Sequence, residues 1–126
     1  VMDITPLIPA GRQLIHKYGN GDFVIAEVRH SGSVLVCQQE TLPLGIETIA
    51  DLTLDHLEPL KTAEPSVELL LIGCGKTMGF IEDDIRQGLK SWGIGLESMD
   101  TGAACRTFNV LLSEERRVAA AMIAVD

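Results

Sequence analysis

Gly73-Cys74-Gly75-Lys76-Thr77 follows the apolar run 67–72, the position and composition of a loop that cradles phosphate. The spacing does not complete that motif. The first glycine of G-x-x-x-x-G-K-T should stand at position 70, which is Leu70 inside the apolar run, so the loop is too short to wrap a triphosphate. The same glycines also read as G-x-G-x-x-x-G ending at Gly79, with Glu97 near the end of the next apolar run. That arrangement imitates a dinucleotide fingerprint and its ribose-binding acid. Only 29 residues follow Glu97, too few for the second mononucleotide-binding half of a dinucleotide fold. ATP, GTP and NAD are therefore expected not to bind tightly, and no cofactor is implied.

What remains is a less specialised anion site. Gly73, Gly75 and Lys76 on one turn, Thr101 on a second, and Arg106 and Asn109 on the helix that follows it could furnish its polar groups. Each has a plainer use: the glycines for a tight turn and close packing, Arg106 for a surface ion pair, Asn109 for packing or capping. Cys74 and Cys105 could act as nucleophiles, but neither has a histidine near it in sequence. The three cysteines form no closely spaced pair, and His16, His30 and His56 lie in separate segments without helical spacing, so no metal site is implied.

The elements that must position these residues follow from periodicity. Residues 67–72, apolar except for Glu68 and bounded by Gly73, read as a strand covered on both faces. Ile81, Ile85, Leu89 and Trp92 recur at helical spacing behind the acids Glu82, Asp83 and Asp84, and Gly93 ends that helix. Residues 94–98 supply the next strand, so 67–98 form a β-α-β unit with both strand ends opening on one sheet edge. Asp100 or Thr101 caps a second helix to about Ser113, with Ala104, Phe108, Leu111 and Leu112 inward and Arg106 and Asn109 outward. The final run 117–125 suits a buried strand.

Toward the N-terminus, residues 2–11 read as a loop marked by Pro6 and Pro9. The runs 13–18 and 22–29 flank Gly19-Asn20-Gly21, a strong hairpin signal, and the turn 30–33 leads into 34–37, giving a three-strand antiparallel meander. Thr53 can cap a short helix carrying Leu54, Leu57 and Leu60, which Pro59 and Pro65 disrupt. The expected fold is thus α/β, one three-layer domain over residues 1–126 with a central mixed sheet.

The chain of 126 residues is 46% hydrophobic and 22% charged, within the range of one globular domain. Eighteen acids against ten bases give a net charge of −8, which repels a phosphate backbone, so nucleic acid is not an expected partner. The longest uncharged apolar stretch, 118–125, falls far short of the roughly 20 residues that cross a bilayer. A reducing, cytoplasmic setting without a membrane span is the expectation.

Glu68-Leu-Leu-Leu-Ile-Gly-Cys-Gly75, then Gly95-Leu-Glu-Ser-Met-Asp-Thr101, then Ala104-Cys-Arg-Thr-Phe-Asn-Val-Leu-Leu112 with Glu114 and Arg116, closely resemble the Mth-domain family. That family includes mitochondrial NADH dehydrogenase complex I assembly factor 3 and has no established reaction. The resemblance extends over essentially the whole chain. It implies a compact three-layer α/β fold with extra N-terminal strands and a last strand antiparallel to its neighbours. It also implies a binding or assembly role with a protein partner, in the biogenesis of a membrane-associated respiratory complex. The family pattern often carries another small residue where this chain has Cys74, which argues against a shared catalytic thiol. The reading adopted is a non-enzymatic interaction module; the rival is an enzyme or binder for a small anion or small molecule, working in the crevice formed by Gly73, Gly75, Lys76, Thr101, Arg106 and Asn109.

Overall fold

The computed structural model describes residues 12–126; the loop expected over 2–11 lies outside the described residues. Three strands, β1 (Ile15–Gly19), β2 (Asp22–Ile25) and β3 (Val28–Ser31), form a small antiparallel sheet. Five more, β4 (Val34–Val36), β5 (Thr41–Pro43), β6 (Leu69–Gly73), β7 (Gly95–Met99) and β8 (Val118–Met122), form a mixed sheet in the order β5-β4-β8-β6-β7. Helix α1 (Asp83–Ser91) joins β6 to β7, and α2 (Thr101–Ser113) joins β7 to β8.

Alternating side chains of the central strands feed two cores. Leu70, Ile72, Ala119 and Ala121 pack with Ile85 and Leu89 of α1 on one face. Leu71, Ala120 and Met122 pack with Phe108 and Leu112 of α2, and with Phe23 and Ile25 of the small sheet, on the other. Burial on both faces is what the unbroken apolar runs of β6 and β8 require.

The β-α-β unit is present: β6 and β7 are parallel, with Leu69 paired to Gly95 and Gly73 to Met99. The last strand departs from expectation. β8 is antiparallel to β4 but parallel to β6, with Leu69 opposite Val118 and Gly73 opposite Met122. The cause is α2, which carries the chain back across the sheet face, so β8 enters from the same end as β6.

The N-terminal meander is also rearranged. A single strand over 22–29 is expected, but Ala26 and Glu27 take φ of 50° and 66° and close a tight hairpin between β2 and β3. Neither residue carries the glycine or asparagine signal of such a turn, while the Ala26 N–H donates to the Leu14 carbonyl at 2.9 Å and holds it. Residues 34–36 leave the meander altogether and pair with β8 in the central sheet. Residues 54–62 wind as a 3-10 helix. Leu54, Leu57 and Leu60 repeat every three residues, the period of that helix, and Pro59 has no N–H to bond back into an α-helical turn.

Helix α1 opens on Asp83 and Asp84 and gives way to Gly93 at φ 75°. In α2 the Asp100 side chain, not that of Thr101, is the cap and accepts from the Ala103 N–H at 2.9 Å.

Candidate functional site

The ends of β6 and β7 open on the same edge, as the β-α-β unit dictates, and the two turns that follow them meet there. The Thr101 N–H donates to the Gly75 carbonyl at 2.8 Å, and the Gly75 N–H donates to Thr101 Oγ1 at 3.0 Å. Thr101 Oγ1 in turn donates to the Ile123 carbonyl at 2.7 Å, with the residue 0% exposed. The Cys74 N–H donates to the Met99 carbonyl, and the Ile123 N–H to that of Gly73. One hydroxyl therefore ties the ends of β6 and β8 to the start of α2.

These bonds use the Cys74 and Gly75 N–H groups that a phosphate-cradling loop would turn toward its ligand. Gly73 is required by close approach: a Cβ there would stand 2.9 Å from Met122 Sδ and 3.0 Å from the Thr101 backbone. Gly75 is required by conformation, with φ of 111°.

Of the other residues singled out in the sequence, Lys76 is exposed and pairs with Asp126 at 3.2 Å. Arg106 is exposed on α2 and makes no ion pair among the described residues. Asn109, expected on an outward polar face, is instead committed to the fold: its Oδ1 accepts from the Ile15 N–H at 2.9 Å and its Nδ2 donates to the Ile15 carbonyl at 2.8 Å. The amide completes the hydrogen bonding of β1 at the position where the register of β1 against β2 shifts. Replacing Asn109 by alanine leaves two backbone groups unpaired and is expected to cost about 1–3 kcal/mol. Arg106→Ala should stay within about 0.5 kcal/mol. Urea unfolding of both variants checks the contrast, and equal small losses would show that the Asn109 amide bonds carry no stability.

Burial pushes the Cys105 thiol up to about 12 and the Cys37 thiol up to about 11, so both are protonated at neutral pH and poorly suited to nucleophilic chemistry. Cys74 is also buried, with its sulfur 3.9 Å from the Ile72 carbonyl.

Beyond the glycine turn the edge changes character. Met78 is 66% exposed and Phe80 79% exposed, both large apolar side chains held in solvent by the segment leading into α1. Phe80 borders a cavity of about 190 Å3 whose other walls are Ile49, Ala50 and Leu52 from one side and Ile81, Glu82 and Ile85 from the other. Gly79 lets these walls meet, since a Cβ there would lie 2.9 Å from Ile49 Cγ2. Reading for charged and nucleophilic residues passes over this surface. The signal available was the pair Met78 and Phe80 in a segment too short and glycine-rich to bury them.

Among the described residues no helix is long and apolar enough to cross a membrane. Similarities to known proteins bear on this geometry. An uncharacterized protein of Rhodobacter capsulatus is 35% identical, over 90% of this chain and 86% of that protein. NADH dehydrogenase (ubiquinone) 1 alpha subcomplex assembly factor 3 of Xenopus tropicalis is 30% identical over 86% of this chain, which spans 60% of that protein's length. A crystal structure described as an outer membrane protein from Bartonella henselae superposes with a TM-score of 0.83 at 36% identity, covering 93% of this chain and 98% of that one. A Mth938-like domain of Bordetella pertussis, 24% identical, has the same fold at a TM-score of 0.82 over 98% of this chain and 92% of its own. Residues 15–123 match the family described as protein of unknown function (DUF498/DUF598), and the chain belongs to that family.

Proposed function

We propose that this chain is a protein-interaction module that serves the assembly of a membrane-associated respiratory complex and docks its partner on the Phe80 face. The observation that carries the reading is Phe80 itself, 79% exposed beside a largely apolar cavity between residues 49–52 and the start of α1. Exposing a large aromatic ring to water is unfavourable, and such rings are enriched where a partner will cover them. Met78, two residues before it, is a second large apolar side chain exposed on the same segment. The relatives named as complex I assembly factors, matched over most of this chain, supply the process in which such docking would be used. A reducing, cytoplasmic compartment belongs to the same proposal and is supported by three free thiols, Cys37, Cys74 and Cys105, each buried in the core.

The test is complementation. In cells lacking the chain, the wild-type sequence should restore assembled respiratory NADH dehydrogenase on a native gel, and Phe80→Ser should not. Because Phe80 is a surface residue, the variant should unfold within about 0.5 kcal/mol of wild type. Full restoration by a stably folded Phe80→Ser would remove the Phe80 face from the function.

A further inference from the structure

The cavity beside Phe80 is lined by apolar residues and Glu82, and the two segments that wall it carry four more acids. Glu47 and Asp51 flank the wall formed by Ile49, Ala50 and Leu52, while Glu82, Asp83 and Asp84 flank the wall formed by Ile81 and Ile85; all five are exposed. Within residues 47–52 and 80–86 these five acids meet a single base, Arg86, whose Nε donates to the Ile81 carbonyl at 3.2 Å. The dipole of α1 accounts for acids in its own first turn. It does not account for Glu47 and Asp51, which are exposed on the segment that supplies the other wall, where Asp51 Oδ2 accepts from Thr48 Oγ1 at 3.0 Å.

We propose that this cavity takes a bulky apolar side chain from a partner segment whose flanking residues are lysine or arginine, which names the partner chemistry for the docking reading above and rests on it. Charge complementarity selects this occupant. Cations on either side of the anchor meet the acids of the two wall segments, and the net charge of −8 steers such a segment inward at long range. A second copy of this chain is disfavoured, because a two-fold interface here would set the same five acids against one another. An anionic membrane surface is repelled for the same reason. Phe80, at the mouth, would lie against the anchor and exclude water from it.

Three labelled hexapeptides test this against the full chain: Lys-Lys-Leu-Phe-Lys-Lys, Glu-Glu-Leu-Phe-Glu-Glu and Lys-Lys-Ser-Ser-Lys-Lys. Affinity is read by fluorescence anisotropy, and the place of binding by the methyl resonances of Ile49, Ile81 and Ile85. The basic apolar peptide is expected to bind about tenfold tighter than either control and to shift those methyls. Raising salt from about 50 to 300 mM, or combining Glu47→Gln with Asp51→Asn, should weaken it about threefold or more while circular dichroism stays unchanged. Equal binding by the acidic peptide at the same methyls overturns the basic-partner assignment and leaves the docking reading standing. Equal binding by the serine peptide overturns the apolar anchor. Methyls that respond to none of the three overturn the inference at this cavity, while the Phe80→Ser complementation decides the docking reading separately.

Discussion

Phe108→Ala is expected to lower stability by about 3–5 kcal/mol, the range for deleting a fully buried aromatic side chain. Phe108 is 0% exposed and lies where three layers converge. It shares one core cluster with Leu71, Ala120 and Met122 of the central sheet, Ile15, Phe23 and Ile25 of the small sheet, and Ala104 and Leu112 of its own helix. Two of those neighbours, Ala104 and Ala120, are too short to move into the space the ring would leave. The resulting cavity would stay largely open, which puts the cost toward the upper part of the range. Because this core cluster joins both sheets, loss of the ring should weaken their attachment together and keep unfolding a single transition. Urea denaturation followed by tryptophan fluorescence at Trp92 and by circular dichroism checks both parts. A loss below about 1.5 kcal/mol would mean that the cluster repacks around the gap and that Phe108 is not its centre.

That residue was legible before the structure, and the reason is local. Asp100 at the cap and Ala104, Phe108 and Leu112 at helical spacing define α2 through side chains that act within a few residues of one another. The strand-helix-strand unit was legible in the same way, since the continuous apolar run of β6 and the acid-led amphipathic pattern of α1 need no distant partner to be recognised. What escaped depends on contacts between remote segments. Asn109 reads as a free polar group until Ile15, 94 positions away, is placed beside it. The direction of β8 follows from the helical crossover that α2 makes after β7, while its place between β4 and β6 depends on remote segments that residues 118–122 do not encode. Ala26 and Glu27 are weak strand formers but carry none of the glycine or asparagine that marks a tight hairpin, so the turn between Ile25 and Val28 shows only once the Ala26 N–H meets the Leu14 carbonyl. The candidate site divides along the same line. Gly73, Gly75 and Thr101 were recognised as neighbours from the parallel strands alone, whereas the cavity at Phe80 needs residues 49–52 brought against residues 80–85.

The second large effect concerns those recognised neighbours and separates a structural tie from a ligand contact. Thr101→Val keeps the volume of the side chain and removes only its hydroxyl, leaving the Gly75 N–H without its acceptor and the Ile123 carbonyl without its donor in a site closed to water. Each such orphaned group costs about 1–3 kcal/mol, so the variant is expected to lose about 2–6 kcal/mol. Thr101→Ser makes the opposite cut: it keeps both hydrogen bonds and removes one buried methyl, which should cost only about 1 kcal/mol. If the hydroxyl is the tie, valine is the worse replacement despite its better fit. The loss should also be local before it is global, because Gly75 begins the segment that carries Met78 and Phe80. Hydrogen exchange at the Gly75 amide should accelerate in Thr101→Val at denaturant concentrations where amides of β4 remain protected. A hydroxyl held for a ligand would behave otherwise, with Thr101→Val as stable as wild type and Gly75 exchange unchanged. That result would return Thr101 to the anion-site reading and leave the junction of β6, β8 and α2 to be held by packing alone.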